Sequence, residues 1–189
     1  MADKVALVTG ANTGIGLAIA ERLLADGYSL GFATAHADDE HAEPLEDLQA
    51  KYGKERLQWV FGALADAAVP GRLVEETVGA LGRVDVLVNN AGIVTAKPFL
   101  DLTAADFDLT FAVDVRASFL LAQTVARQMN AGGSIVNITS VHEHIPRDGF
   151  SVYAAAKAAL GMLTKSLPLE RGARNITRNS VAAGVQRTH

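Results

Sequence analysis

The sequence predicts an α/β protein in which a parallel sheet is covered by helices on both faces. Short apolar runs of strand length alternate with longer segments of helical character along the 189 residues, and this alternation is typical of parallel sheets. Glycines stand where the helices are expected to stop. No repeat, low-complexity tract or linker separates a second unit. We therefore expect a single domain over residues 1–189, large enough for a substantial core.

The elements are expected in the following order. Strands are predicted near residues 4–9, 29–34, 57–61, 84–88, 133–139 and 176–182. Helices are predicted near residues 14–26, 40–52, 67–81, 104–129 and 151–171. Pro168 and Gly172 are expected to end the last helix early, because proline inside a helix costs about 3 kcal/mol.

Composition restricts the possible partners and location. The net charge is −4, with no stripe of lysine and arginine, which argues against a nucleic-acid partner. There is no cysteine, which excludes a disulfide framework and a thiolate metal site. The chain begins Met-Ala-Asp-Lys without an apolar signal region, and no apolar run approaches membrane-spanning length. We expect a soluble cytoplasmic protein without a membrane partner.

A glycine-rich turn follows the first strand. Gly10, Gly14 and Gly16 stand between an apolar run and an alanine-rich helix, which is the context of a dinucleotide-binding fingerprint. In such a turn the first glycine permits a tight bend, the second lets the backbone approach a pyrophosphate, and the third lets the helix pack against the strand. The first-turn N–H groups face the phosphates. The candidate cofactor-binding residues here are Gly10, Asn12, Thr13, Gly14, Ile15 and Gly16, joined by Asn90, Ala91 and Gly92 after another apolar strand.

Three polar residues in the second half form a candidate catalytic group. Tyr153 and Lys157 are one helical turn apart and project from the same helix face, and Ser140 lies thirteen residues before Tyr153. A neighbouring ammonium favours the phenolate form of a tyrosine, which makes the phenol usable for proton exchange. Ser140 can hold a substrate oxygen against the same phenol.

These motifs together resemble the classical short-chain dehydrogenases/reductases. TGxxxGIG, the NNAG motif at 89–92, Ser140, YxxxK and the segment 179–184 occur in the order of that family, and the resemblance runs from Lys4 to His189. It implies a Rossmann-type, doubly wound, three-layer α/β/α fold that transfers hydride between a nicotinamide cofactor and an alcohol or carbonyl substrate. It also implies that Lys157 and Tyr153 contact the cofactor, together with Gly184 and Thr188.

The choice between NAD and NADP depends on the end of the second strand, where an acidic residue typically favours NAD and a basic residue favours NADP. Thr34 and Ala35 occupy these positions by resemblance, and His36 follows. A threonine hydroxyl can donate to a phosphate, so NADP is slightly preferred over NAD. Alternatively, Thr34 only ends the strand.

Asp114 departs from the family pattern, which has asparagine there as the fourth catalytic residue, acting largely through its backbone carbonyl. An aspartate keeps the carbonyl but adds a negative charge near Lys157. From the sequence alone, Asp114→Asn is expected to raise turnover unless the charge is neutralised by a partner such as Arg116. Ala63 stands where the resemblance implies an aspartate near the adenine.

The resemblance also implies that the chain is truncated at its C-terminus. Family members continue past residue 189 through a substrate-covering segment and a last sheet strand. Without these, the sixth strand is expected to be an exposed sheet edge.

The substrate class has one indication. The segment 141–146 resembles that of glucose 1-dehydrogenases of the family, and His142 and Glu143 are candidate contacts to sugar or polyol hydroxyls; alternatively they belong to a solvated loop. A 3-oxoacyl thioester is the other candidate substrate, and a metal site is not expected. A catalytically impaired nucleotide-binding or interaction protein remains the alternative function. The resemblance further implies a homodimer or homotetramer formed through helices 104–129 and 151–171.

Overall fold

Six strands form one parallel sheet in the order β3-β2-β1-β4-β5-β6. The computed structural model describes residues 4–35, 39–129, 132–170 and 176–184. The strands are β1 (Val5–Thr9), β2 (Ser29–Thr34), β3 (Leu57–Phe61), β4 (Val86–Asn89), β5 (Ser134–Ser140) and β6 (Thr177–Ala183).

Helices connect consecutive strands and cover both faces of the sheet. They are α1 (Gly14–Ala25), α2 (Asp39–Tyr52), α3 (Val69–Leu81), α4 (Ala104–Phe111), α5 (Ser118–Gln128) and α6 (Ser151–Glu170). A π-helical turn over Ala112–Ala117 joins α4 to α5 without a break. The predicted doubly wound α/β fold is therefore confirmed, with element boundaries within two residues of those expected.

The core lies on both sides of β1, whose five residues are all buried. Because side chains alternate along a strand, Leu7 faces one hydrophobic cluster with Leu73 and Leu121, whereas Val8 faces the other with Leu24. β1 pairs with β2 on one side and with β4 on the other. The strand order reverses between these two neighbours, and a ligand crevice is expected beyond the carboxyl ends of the strands at such a point.

The last helix does not end at Pro168, although its end agrees with the predicted range 151–171. α6 continues through Pro168 and ends at Glu170. Proline lacks the backbone N–H that a helix interior uses, and the helix ends two residues after it. Gly172 lies outside the described residues.

β6 is an edge strand, as expected, in the part of the chain that the structure describes. It pairs with β5 over its whole length, and Val181 at its centre is 52% exposed. An open edge of this length leaves backbone groups available for pairing.

One helical stretch qualifies the expectation that no apolar run approaches membrane-spanning length. The continuous helix Ala104–Gln128 is long and apolar enough to cross a bilayer by length and composition alone, among the residues described. Half of its most apolar window is buried inside the protein, as in the core helix of a globular domain, so this is weak evidence for a membrane span.

Candidate active site

A cleft of about 790 Å³ opens at the carboxyl ends of β1, β2 and β4. Nine of the predicted cofactor-binding residues line it: Gly10, Asn12, Thr13, Gly14, Ile15, Thr34, Asn90, Ala91 and Gly92. Ala63, the position of the missing aspartate, lines the same cleft. The cleft therefore lies at the strand-order reversal, where the fold predicts it.

The glycine turn has the backbone that its sequence predicts. Gly10 and Gly14 have positive φ angles of 63° and 54°, a region that glycine enters without steric cost. Gly16 does not line the cleft, because it is buried in α1 beneath the turn. A Cβ atom at Gly16 would lie 2.0 Å from the Gly10 carbonyl oxygen. Its role is therefore close packing of helix against strand.

Asn90 and Thr9 hold the two cleft loops together. The Asn90 side-chain amide donates to the carbonyl oxygens of Thr9 and Gly10, each at 3.0 Å. The buried Thr9 hydroxyl accepts from the backbone N–H groups of Asn90 and Ala91, also at 3.0 Å. Thr9 was missed by the sequence analysis, since a threonine at the end of a strand carries no signal of a contact with a distant loop.

The end of β2 places Thr34 and Ala35 on the cleft wall, with Thr34 buried and Ala35 exposed. No charged side chain occurs among the described residues that line the cleft. His36, the other candidate for contact with a 2′-phosphate, lies outside the described residues.

A second cavity of about 210 Å³ adjoins the cleft at the carboxyl ends of β5 and β6. Ser140, Tyr153 and Lys157 all line it, so the structure brings the predicted catalytic group together. Gly184 also lines this cavity. The two cavities share Ile15, Asn90 and Gly92 as common wall. Thr188 lies outside the described residues.

Ser140 ends β5 and is almost fully buried. Its Oγ accepts a hydrogen bond of 3.2 Å from the backbone N–H of His142. A hydroxyl has one donor and two acceptor positions, so this contact leaves the O–H proton of Ser140 to point at an oxygen in the cavity.

Lys157 is buried on α6 with only 4% of its surface exposed. Its Nζ donates to the carbonyl oxygen of Ile138 at 3.3 Å and lies 5.6 Å from the centroid of the Tyr153 ring. A buried charge is costly unless it is paired, and the structure supplies an anionic partner.

That partner is Asp114, which has no exposed surface. Its Oδ2 lies 3.1 Å from Lys157 Nζ in an ion-pair contact, and its Oδ1 accepts a 2.8 Å hydrogen bond from the backbone N–H of Ile93. Burial raises the pKa of Asp114 above its usual value, although Lys157 and the Ile93 N–H oppose the shift. Arg116, the partner considered from the sequence, instead donates to the carbonyl oxygen of Ala65.

A buried amide network fixes α6 against the sheet. The Asn89 side chain donates to Asn137 Oδ1 at 2.8 Å, and Asn137 donates to Thr164 Oγ1 at 2.7 Å. These residues come from β4, β5 and α6, and they link the helix that carries Tyr153 and Lys157 to the strand that carries Ser140. Their contact joins distant segments, and the sequence analysis did not identify it.

His142 and Glu143 are not among the residues that line this cavity. The His142 ring packs against Phe150 and Tyr153, at centroid distances of 5.4 and 6.4 Å. The nearly buried Glu143 carboxylate pairs with His144 at 2.7 Å and covers Gly161 of α6, where a Cβ would lie 2.8 Å from Glu143 Oε2. The segment is thus folded onto α6. Within the described ranges, no group of three potential metal ligands occurs.

Comparison with known proteins places the chain in a family. A family model described as short chain dehydrogenase matches residues 4–189. The chain is 42% identical over 186 residues to an uncharacterized oxidoreductase, YohF, of Escherichia coli, covering 96% of this chain and 72% of that protein. It is 36% identical to D-threitol dehydrogenase of Mycolicibacterium smegmatis, covering 96% of this chain and 70% of that protein.

A solved structure agrees. The crystal structure of a blue fluorescent protein from a metagenomic library, in complex with NADPH, superposes with a TM-score of 0.88 at 42% identity, covering 95% of this chain and 73% of that one. Matches of this extent and identity, together with the site geometry, show that the chain belongs to the short-chain dehydrogenase/reductase family.

Proposed function

We propose that this protein is an NADP- or NAD-dependent oxidoreductase that interconverts a small alcohol and the corresponding carbonyl compound. The observation that carries the proposal is the convergence of Ser140, Tyr153 and Lys157 on one cavity that shares a wall with the cleft. A nicotinamide cofactor, when bound, supplies or accepts the hydride.

The cleft residues fit a dinucleotide. Positive φ angles at Gly10 and Gly14 bring the backbone to the surface of the cleft, and the N-terminus of α1 presents N–H groups that suit a pyrophosphate. Thr34 would lie at the adenosine end, and Lys157 would hold the nicotinamide ribose. NADP is favoured because no carboxylate lines the described part of the cleft wall to repel a 2′-phosphate, and because one similar solved structure contains NADPH.

The three polar side chains have separable tasks. Tyr153 exchanges a proton with the substrate oxygen, Ser140 donates a hydrogen bond to that oxygen, and the Lys157 ammonium, 5.6 Å from the centroid of the Tyr153 ring, holds the cofactor ribose beside them. The Ile138 carbonyl and Asp114 keep Lys157 in place for this task.

A polyol or sugar is the substrate class that we favour. The cavity of about 210 Å³ suits a small molecule, and one relative is a D-threitol dehydrogenase. Recognition of the hydroxyls would rest on Ser140 and Tyr153, because Glu143 is turned toward α6. A 3-oxoacyl thioester remains the second substrate class to test.

The test measures turnover with both cofactors and in each direction, monitored by the absorbance of the reduced cofactor. The substrates are tetritols, pentitols, aldoses, simple ketones and a 3-oxoacyl thioester. Oxidation of a polyol with NADP would support the proposal. Binding of NADPH without turnover of any substrate would instead favour a nucleotide-binding protein without catalysis.

We also propose a cytoplasmic homodimer or homotetramer. A groove of about 640 Å³ runs between the two long helices, and it is lined by apolar residues such as Phe111, Val115, Phe119 and Leu163 and by the charged Asp108 and Arg116. Phe119 in this groove is 38% exposed, and Met162 of α6 is 61% exposed. A second copy of the same helices would cover the apolar side chains of this surface.

A further inference from the structure

We propose that the Asp114 carboxylate is the positioning residue for Lys157, and that this chain requires a carboxylate rather than an amide at position 114. The inference deepens the proposed function, because Lys157 serves the same reaction. It rests on the number of donors that meet the Asp114 side chain.

Both oxygens of Asp114 face donors. Oδ1 accepts a 2.8 Å hydrogen bond from the backbone N–H of Ile93, and Oδ2 lies 3.1 Å from the ammonium of Lys157 as its ion-pair partner, without hydrogen-bond geometry. An asparagine side chain has one acceptor oxygen and one NH₂ group that only donates. In either orientation of that amide, its NH₂ group would oppose the Ile93 N–H or the Lys157 ammonium. The asparagine usual in the family therefore does not fit these partners.

The main-chain carbonyl of Asp114 has a different partner. It accepts a hydrogen bond of 3.3 Å from the Ser118 hydroxyl one turn later. The contact to Lys157 is made by the side chain, which the π-helical turn Ala112–Ala117 carries into the site. π-Helical turns are frequent at functional sites, and this one places a charge where the helix packs on the Gly92 loop.

The ion pair has little room to rearrange. A Cβ at Gly92 would lie 2.9 Å from Lys157 Nζ and 3.1 Å from Asp114 Oδ2. The loop that lines both cavities thus packs directly on the pair. An ammonium has three donor positions. The Ile138 carbonyl accepts from one of them, and the contact with Asp114 Oδ2 is an ion pair without hydrogen-bond geometry, so Lys157 keeps donor capacity for a group bound in the cavity.

This geometry reverses the expectation from sequence. Considered only as a charge, Asp114 should hinder the phenolate, and Asp114→Asn should raise turnover. Considered with its two donors, Asp114→Asn should displace Lys157, lower turnover and weaken cofactor binding.

The experiment is a double-mutant cycle with Asp114→Asn and Lys157→Met, measuring thermal unfolding of the cofactor-free protein and the Kd for NADPH. Asp114→Asn alone should lower Tm and weaken NADPH binding, on the order of tenfold. In the Lys157→Met background, Asp114→Asn should instead raise Tm, because the amide then replaces a buried carboxylate that has lost its counter-ion. The double variant should bind NADPH no more weakly than Lys157→Met. Asp101→Asn, an exposed change of the same chemistry, is the control and should alter neither quantity.

Asp114→Asn with unchanged Tm and unchanged NADPH affinity would overturn the proposal, and so would independent, additive effects of the two substitutions. If Asp114→Asn alone fails to fold, the comparison of Lys157→Met with the double variant still decides: a double variant less stable than Lys157→Met contradicts the proposal. The Tm readout needs neither cofactor nor substrate, so it remains valid even if the proposed oxidoreductase activity is not found.

Discussion

Tyr153 is the side chain on which the proposed proton transfer depends. Tyr153→Phe removes one hydroxyl from the wall of the smaller cavity and leaves the ring contacts with His142 and Phe150 in place. General acid–base catalysis typically contributes about 10²–10⁴-fold, so we expect a loss of that order in kcat with Tm and NADPH affinity preserved. Steady-state kinetics with a matched Kd measurement tests this. Full activity in the variant would assign the proton transfer elsewhere.

The titration of Asp114 gives a second prediction at the residue scale. Burial raises its folded-state pKa above the ordinary 3.8, so the folded state binds this proton more tightly than the unfolded state. The contribution of this carboxyl to the free energy of unfolding therefore rises as pH falls through its folded-state pKa, and it levels off below the unfolded value. The Tm of the wild type minus that of Asp114→Asn should increase on acidification.

Thermal unfolding of both proteins between pH 7 and pH 4 measures this difference. A difference that shrinks on acidification would mean that the ion pair with Lys157 outweighs burial. Lys157 of α6 is the charged group facing Asp114 among the described contacts, while Arg116 on the same helical turn is bound to the Ala65 carbonyl.

The Asp114 site also shows where prediction from the sequence ended at this scale. The sequence predicted Ser140, Tyr153 and Lys157 as a group because the spacing of two of them is local. It identified the charge at Asp114 but not its geometry, since the contact joins α6 to a π-helical turn and to the backbone of the Gly92 loop. Such a turn depends on one extra residue in the helical backbone, and no local residue pattern here indicated it.

At the scale of the elements, the packing of α1 on β1 predicts a strong effect of one methyl group. A Cβ at Gly16 would lie 2.0 Å from Gly10 O and 2.4 Å from Asn90 Nδ2, so Gly16→Ala must displace the helix or the Asn90 bridge between the loops. We expect both a lower Tm and a loss of NADPH binding. Gly71→Ala on α3 is the control, because its Cβ would meet nothing within 4 Å.

The control should leave NADPH binding unchanged and raise stability slightly, because alanine is favoured over glycine in a helix by up to about 1 kcal/mol. If Gly16→Ala behaves like Gly71→Ala, the helix and turn are not in close contact. The three glycines and the packing role of the third could be predicted from their spacing; what the structure adds is that Gly16 is buried and does not line the cleft, whereas Gly10 and Gly14 do.

At the scale of the whole molecule, the parallel sheet follows from alternating strands and helices, which the sequence displays clearly, whereas its doubly wound form was implied by the family resemblance. The apolar character of Ala104–Gln128 has a different origin. One face of this stretch packs on the core, through residues such as Leu121 and Val125, while Phe107 and Phe119 are exposed; Leu109 is exposed to the cofactor cleft instead. A helix that is apolar on both faces is normally buried on both, which favours a second copy against its outer face.

This leads to a prediction about the assembly. Phe119→Asp places a charge in the groove between the two long helices, where a second copy would have to desolvate it. We expect the variant to become monomeric at concentrations at which the wild type is a dimer or tetramer, as measured by light scattering coupled to size exclusion. Leu100→Asp, at a residue that is 92% exposed and outside the groove, is the matched control and should keep the wild-type mass.

A wild-type protein that is already monomeric would contradict the proposed interface, and so would a Phe119→Asp variant of unchanged mass. Retained Tm in the monomeric variant would show that the groove contributes to assembly and not to the core of the subunit.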